Sequence, residues 1–588
     1  MSYLEEISKK CFKCKNAPCI NDCPIHNNIP EIIKLYSLKE YKKAYEVLFN
    51  NNPLFQLCGL LCPHESQCAK NCKYKKVKNE RIEIELIEKD LLDRFGINYH
   101  FPPITKGKII VIGSGPAGLM SSILLRQNGY EIVLCEAENK IGGVLSSQIP
   151  EFRFDSKVLD ELYDQIKDYI DIRLNTKLGR DITLDDLKDY DYQLIAFGCN
   201  KPIVFLEKDN VLNGYDLLKT LKNKTYTIKN KKIGVLGCGN AAIDVARSLV
   251  RLNNDVTIIY RRTLENAPAT IHEINEAKED GVKFLELLAL EDFENNNATL
   301  RVMELLPKVE GERQAFKKTD KVIQEEYDYM VETYGANPNY ELFLNEKWFK
   351  LINDRSWLKN NGNGSLYFIG DAFNHPTSIV HAINDAKVVC EKILQNEREI
   401  ERIKKDFIDL KVVFGGSFNP PTIAHVELYN YLKKHLTNQV IVLPNGNNYP
   451  AKELLPFDKR VELIKLCMQD VIIDDYENHQ NFGGTVKYLE TRNHPLFVIG
   501  SDSLFDLSGW IEAEKLIKEN NFLVFKRADQ DIEKIFINDL LLQKYRHHFY
   551  ILNINISDVS STNFRSTKDE NIVTDEVYKL IIQNNFYN

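Results

Sequence analysis

Hydrophobic and polar positions change texture along the chain. Residues 1–100 are polar and rich in helix formers around a set of cysteines, which predicts short helices and no sheet. At Lys108 the run KIIVIGSGPAGLMSSILLRQNGYEIVLCEA predicts strand, glycine turn, helix and strand, and KIGVLGCGNAAIDVARSLVRLNNDVTIIYRR repeats that pattern from Lys232. The Lys/Glu-rich stretch CEKILQNEREIERIKKDF (390–407) predicts a helix running into a connector. An apolar strand, KVVFGG, opens the last segment at Lys411, which has the length of one domain.

A chain of 588 residues is too long for one core. The texture predicts a multidomain chain: an α-helical domain over 1–104, an α/β domain made of 105–215 and 360–395, a second α/β domain over 216–359, a linker at 396–410 and a C-terminal α/β domain over 411–588. The three α/β domains are expected to be Rossmann-like. Hydrophobic residues at 44% and charged residues at 27% are ordinary for a globular protein. No apolar run is long enough to predict a membrane span. MSYLEEISKK lacks a signal-peptide core, so a cytoplasmic location is expected. A formal charge of −8 argues against nucleic acid as a partner.

Eight of the 13 cysteines fall between Cys11 and Cys72. They form C-x2-C-x4-C-x3-C-P (Cys11, Cys14, Cys19, Cys23) and C-x3-C-P-x4-C-x3-C (Cys58, Cys62, Cys68, Cys72). Closely spaced thiolates followed by proline suit [4Fe-4S] clusters. Structural zinc usually repeats its C-x2-C pair, and the second group has none. CFKCKNAPCINDCPIHNNIP and NNPLFQLCGLLCPHESQCAKNC resemble the N-terminal domain of the glutamate synthase small subunit and of dihydropyrimidine dehydrogenase. The resemblance implies two clusters: Cys11, Cys14, Cys19 and Glu88 on one, and Cys23, Cys62, Cys68 and Cys72 on the other. It leaves Cys58 as a non-ligand.

The first glycine turn is G-x-G-x-x-G: Gly113 for the tight turn, Gly115 for approach of a pyrophosphate and Gly118 for helix–strand packing. The second strand ends in Glu136, where a carboxylate can accept from a ribose hydroxyl. The second turn has Gly237, Gly239 and Ala242, and its second strand ends in Arg261 and Arg262. Guanidinium groups there suit the 2′-phosphate of NADPH, and NADH is the less favoured alternative. IGGVLSSQIPEFRF and YFIGDAFNHPTSIVHAINDAKVV resemble FAD segments of the glutamate synthase small subunit. That resemblance implies FAD at the first turn, with Asp371 at its ribityl–phosphate region, and NAD(P)H at the second. It further implies hydride transfer from NAD(P)H to FAD, then electrons to the clusters and to an unidentified acceptor. An electron-transfer module serving a separate electron-accepting subunit, with the C-terminal domain as nucleotide sensor, is the alternative.

In the last segment, KVVFGGSFNPPTIAHVELYNYL is strand, glycine turn and helix. Gly415 and Ser417 can offer backbone N–H groups to phosphate, and Thr422 and His425 form T-x-x-H at the helix start. In ISDVSSTNFR, Ser560, Ser561 and Thr562 can cap a phosphate-binding helix that Arg565 clamps. These stretches, with LPNGNNYPAKELLPFDKR and FVIGSDSLFDLSGWIEAEKLI, resemble the bacterial nicotinate-nucleotide adenylyltransferases. The resemblance implies a nucleotidylyltransferase that joins nicotinate or nicotinamide mononucleotide to ATP with Mg²⁺. His425, Lys452, Arg565 and Thr422 would act on the phosphates, Asp502 would orient the nucleotide and Trp510 would stack on the pyridine ring.

Overall fold

The structure is a computed structural model. It describes residues 3–225, 228–309, 313–352, 357–358, 362–374, 378–447, 453–479, 484–526 and 530–587. The chain forms two compact units: Met1–Leu184 with Ile195–Tyr340 and Ile369–Lys387, and Asp185–Leu194 with Glu341–Phe368 and Val388–Asn588.

The first unit opens with short helices, among them α1 (Phe55–Leu61) and α2 (Ile84–Phe95). The parallel strands β1 (Lys108–Ile112), β2 (Glu131–Cys135) and β3 (Asp171–Arg173) follow, with α3 (Pro116–Gln127) connecting the first two. Pro116 sits in the first turn of α3, where its missing N–H costs nothing. The second glycine turn lies in a five-stranded parallel sheet. Its strands are β4 (Val211–Asn213), β5 (Lys232–Leu236), β6 (Asp255–Tyr260), β7 (Lys283–Glu286) and β8 (Tyr329–Glu332), in the order β4-β8-β5-β6-β7. Helix α4 (Asn240–Val250) joins β5 to β6. A three-stranded antiparallel sheet, Leu288–Glu294, Asn297–Leu305 and Phe316–Glu326, stands between β7 and β8 in sequence.

The second unit is built on a six-stranded parallel sheet. Its strands are β9 (Val412–Gly416), β10 (Val440–Pro444), β11 (Ile472–Ile473), β12 (Leu496–Gly500), β13 (Phe522–Phe525) and β14 (Phe549–Leu552), in the order β11-β10-β9-β12-β13-β14. Side chains alternate between two buried layers. Val412, Phe414, Leu496 and Val498 enter one core, and Val413, Phe497 and Ile499 the other. A sheet buried on both faces needs helices on both. One cover is the helix from Ile379 to Asp406, here α5, whose Ile400 and Ile403 lie in the first of these cores with Leu410. Within the stretch read as a linker, 396–410, Ile400, Ile403 and Leu410 are thus packed in this core with Phe407 against it, whereas Ile408 is exposed. Helix α6 (Ile423–His435) follows β9, and α7 (Ser561–Thr567) stands near the C-terminus.

Candidate functional site

All eight N-terminal cysteines are free. Burial pushes the Cys19 thiol up to about 12 and Cys23 up to about 11, and raises Cys11 and Cys68. Thiols this desolvated ionise readily only beside added positive charge, such as iron. Neighbouring charges show which of these groups lie near one another. After burial, Cys72 and Cys14 act on Cys11, and Cys11, Cys72 and Cys14 act on Cys19. Glu88 acts on Cys68 and Cys23 after burial, and on Cys62 after its hydrogen bond to Cys58 and burial. Cys72 is thus a neighbour of Cys11 and Cys19, and Glu88 of Cys23, Cys62 and Cys68, although the expected sets put Glu88 with Cys11, Cys14 and Cys19; Cys19 also acts on Cys68. The cause is tertiary, because α2 brings Glu88 against Gly59 of α1, beside Cys62. Glu88 is buried, and its Oε2 has no hydrogen-bond partner and lies 3.6 Å from His64 Nε2. An orphaned carboxylate oxygen among thiols fits a cluster ligand. Cys58 accepts a hydrogen bond from Asn52 at 3.2 Å. Among the described residues no three His, Cys, Asp or Glu converge on a single ion position.

At the first glycine turn, Gly113 has φ +99°, and a Cβ on Gly118 would lie 1.8 Å from the Gly113 carbonyl oxygen. A Cβ on Gly115 would meet nothing within 4 Å. That open cradle beside the N-terminus of α3 suits a pyrophosphate. Glu136 is buried, and its carboxylate accepts from Ser114 N at 2.9 Å, Ser114 Oγ at 2.5 Å and Glu138 N at 2.9 Å. It therefore fixes the turn itself. Gly370, with φ +61°, packs against Ala117 of α3, since a Cβ there would lie 2.7 Å from the Ala117 Cβ. This brings Asp371 to the same turn. Burial and then the Asp385 charge raise Asp371 to about 6.

At the second turn, Gly237 has φ +119° and Gly239 is open apart from Pro268 at 3.9 Å. Arg261 and Arg262 part company here. Arg261 is exposed. Arg262 is 6% exposed, donates from Nε to the Gln314 carbonyl at 2.5 Å, and lies over the Phe316 ring. Burial, and then the Arg313 charge, lower its pKa. Arg262 ties down the 314–316 segment, whereas Arg261, which also lies over the Phe316 ring, and Arg313 are both exposed. Sequence reading missed Arg313 because no motif surrounds it.

In the second unit the two transferase signatures meet. Arg565 donates to the Asn419 carbonyl at 2.6 Å and to Thr562 Oγ1 at 3.2 Å, and Ser561 Oγ donates to the Pro420 carbonyl at 2.8 Å. Ser560 caps α7 by accepting from Asn563 N. His425 Nδ1 accepts from Thr422 N at 3.0 Å and is 2.7 Å from Thr422 Oγ1. Gly415 and Gly416 end β9 against the Phe497 and Phe418 rings. Phe418 holds φ +47°, an uncommon backbone for an aromatic residue, in the turn that precedes α6. Ser417 offers its carbonyl to Arg460, which is fully buried and also donates to Leu455 and Asn445 carbonyls. Asp502 is exposed in the helical turn after β12, and Trp510 packs partly on the second core. Lys452 lies outside the described residues.

Glu477 stands beside this loop and bonds the Gly446 backbone, and burial raises it from 4.5 to about 7. Because its folded value exceeds the ordinary one, the proton it holds stabilises the fold fully below about pH 4.5, and that contribution is lost as pH rises through about 7. Glu477→Gln is expected to equal the parent near pH 4.5 and to exceed it by about 2–3 kcal/mol at pH 8 in urea unfolding. A difference that does not change with pH would remove this account of the loop.

Residues 3–98 match the family described as dihydropyrimidine dehydrogenase domain II, 4Fe-4S cluster. Residues 107–386 match pyridine nucleotide-disulphide oxidoreductase, and residues 413–567 match cytidylyltransferase-like. The chain is 31% identical over 402 residues to the Escherichia coli O157:H7 protein YgfK, covering 65% of this chain and 38% of that one. It is 31% identical to glutamate synthase [NADPH] small chain of Escherichia coli K12, covering 47% of this chain and 63% of that one. It is 29% identical to NAD-dependent dihydropyrimidine dehydrogenase subunit PreT of the same strain, covering 51% of this chain and 74% of that one. No helix among the described residues is long and apolar enough to cross a membrane. The chain joins, in order, a 4Fe-4S domain of the dihydropyrimidine dehydrogenase type, a pyridine nucleotide oxidoreductase domain with glutamate synthase small-chain relatives, and a cytidylyltransferase-like domain.

Proposed function

We propose that the chain is a bifunctional cytoplasmic enzyme. One activity oxidises NADPH through FAD and two [4Fe-4S] clusters and passes electrons to a separate acceptor. The other joins a nicotinate or nicotinamide mononucleotide to ATP with Mg²⁺, forming a pyridine dinucleotide and pyrophosphate. The observation that carries the second activity is the junction of the two signatures, Arg565 on the Asn419 carbonyl and His425 locked by Thr422. Catalysis there is positioning and charge stabilisation: His425 donates to a phosphate oxygen, and Arg565 and Lys452 neutralise charge. The first activity is supported by the open Gly115 cradle and the two cysteine groups. When bound, FAD and the clusters supply hydride acceptance and single-electron transfer. The chain's own residues hold them: Gly115 leaves room for the pyrophosphate, Glu136 fixes the turn, and the N-terminal thiols offer ligands. The acceptor belongs on another chain, in keeping with relatives printed as a small chain and a subunit.

The anaerobically purified chain is expected to hold about eight irons, with Cys62→Ser retaining about half and Cys58→Ser retaining all. Iron analysis decides it: equal loss in both variants would remove Cys58 from its non-ligand role. Exposed Arg261 and Arg313 favour NADPH over NADH. Arg261→Ala is expected to lower kcat/KM for NADPH about tenfold or more, as a lost charge-assisted contact is worth about 1.5–3 kcal/mol, and to change NADH little. Dye reduction assayed with each nucleotide tests this; equal kcat/KM in the parent would refute it.

A further inference from the structure

The segment leading from β14 to the second signature is held by alternate residues. Leu552 and Ile554 point into the core with Ile556 packed against it. The residues between them are anchored by polar groups. Ile551 N donates to Glu399 Oε1 at 3.2 Å. Asn553 N donates to Asn396 Oδ1 at 2.9 Å, and Asn396 Nδ2 returns a bond to the Asn553 carbonyl at 3.0 Å. Lys392 Nζ donates to Asn555 Oδ1 at 2.7 Å, and Gly364 N to the Asn555 carbonyl at 2.6 Å. Ser557 N and Oγ donate to Glu427 at 2.7 and 2.6 Å. Glu399, Asn396 and Lys392 are three and four residues apart on α5, so one helix face matches the two-residue period of an extended chain. The last anchor differs from the rest, because Glu427 belongs to α6, two residues after His425.

We propose, on the reading of this unit as an adenylyltransferase, that Glu427 and Asn396 are positioning residues, which fix the second signature relative to His425. Neither touches the reacting phosphates. Asn396 fixes where the segment leaves the sheet, and Glu427 fixes where it enters Ser560–Thr562. His425 and Glu427, two positions apart, project from different sides of α6, so one helix offers a phosphate donor on one side and the loop's anchor on the other. Glu427 holds its bonds although burial raises it to about 7, and Asn363 adds a further hydrogen bond. The uncharged amide of glutamine can accept from Ser557 N and donate to its Oγ, whereas alanine leaves both unpaired.

The test uses the full chain, with steady-state dinucleotide formation from ATP and the mononucleotide that the parent accepts. Glu427→Ala and Asn396→Ala are expected to raise KM for ATP about tenfold and to lower kcat/KM further, while Glu427→Gln stays within about threefold of the parent. Loss of folded protein alone would lower apparent kcat and leave KM unchanged, so KM separates positioning from simple instability. NADPH-dependent dye reduction is expected unchanged in all three. Should Glu427→Ala not accumulate, Ser557→Ala, which removes only the hydroxyl, carries the same comparison with a smaller expected rise. Unchanged KM in the alanine variants, or a glutamine variant as impaired as alanine, would overturn the proposal. A parent chain that makes no dinucleotide would instead overturn the adenylyltransferase reading.

Discussion

His425→Ala is expected to lower adenylyl transfer by about 10²–10³ in kcat, or about 2.7–4 kcal/mol, and to leave NADPH-dependent dye reduction unchanged. The argument is one of tautomer. The backbone N–H of Thr422 can only donate, and it faces His425 Nδ1 at 3.0 Å. Nδ1 therefore carries no proton, and the neutral ring keeps its proton on Nε2. The Phe418 and Phe414 rings, with centroids 4.9 and 6.0 Å from that of His425, restrict its orientation. A fixed Nε2–H donor beside the glycine turn is what a developing phosphate charge requires. Alanine removes that donor and leaves Thr422 N without its acceptor, a folding cost of about 1 kcal/mol. A variant keeping more than about a tenth of the parent rate would exclude His425 as the donor.

Gly115→Val is expected to abolish FAD retention and dye reduction while adenylyl transfer stays near the parent and thermal stability near that of the FAD-free parent. A Cβ at 115 meets nothing within 4 Å, and the backbone there, φ −63° and ψ −178°, suits any residue. The empty fold tolerates the side chain; only a pyrophosphate competes for its space. Gly118→Ala is the contrast, since its Cβ would lie 1.8 Å from the Gly113 carbonyl and must move the backbone. It is expected to unfold the domain and lose FAD for that reason. Absorbance of bound flavin, read with the melting temperature, distinguishes the two. A Gly115→Val protein that purifies yellow would remove the cradle from the account.

The parts legible in the sequence were those set by local backbone chemistry. Gly113 and Gly237 announce positive φ between an apolar strand and a helix, and neither turn needs the rest of the fold to be recognised. The alternation of buried positions in β9 and β12 is likewise local. What failed was tertiary. Spacing fixes that eight thiols lie close together, but which of them Glu88 neighbours depends on how α2 packs against α1. Arg261 and Arg262 are adjacent and both lie over the Phe316 ring, but only Arg262 is buried and bonded to the Gln314 carbonyl, a difference that adjacency in sequence does not show. The stretch at 390–407 reads as a charged connector because its apolar stripe is sparse. Ile400 and Ile403 carry its packing, and Asn396, wholly buried, gives no hydrophobic signal at all. Glu427 was hidden in the same way, as a polar residue whose partners are the backbone and hydroxyl of distant Ser557.

The most direct test of two chemistries on one chain is product analysis on the purified full-length protein. ATP, Mg²⁺ and either nicotinate or nicotinamide mononucleotide are supplied, and dinucleotide and pyrophosphate are quantified beside NADPH-dependent dye reduction. The expected result is one pyrophosphate per dinucleotide with at least one mononucleotide, none when CTP replaces ATP, and dye reduction in the same preparation. Dye reduction with no dinucleotide from either mononucleotide, or transfer from CTP in place of ATP, would contradict the account.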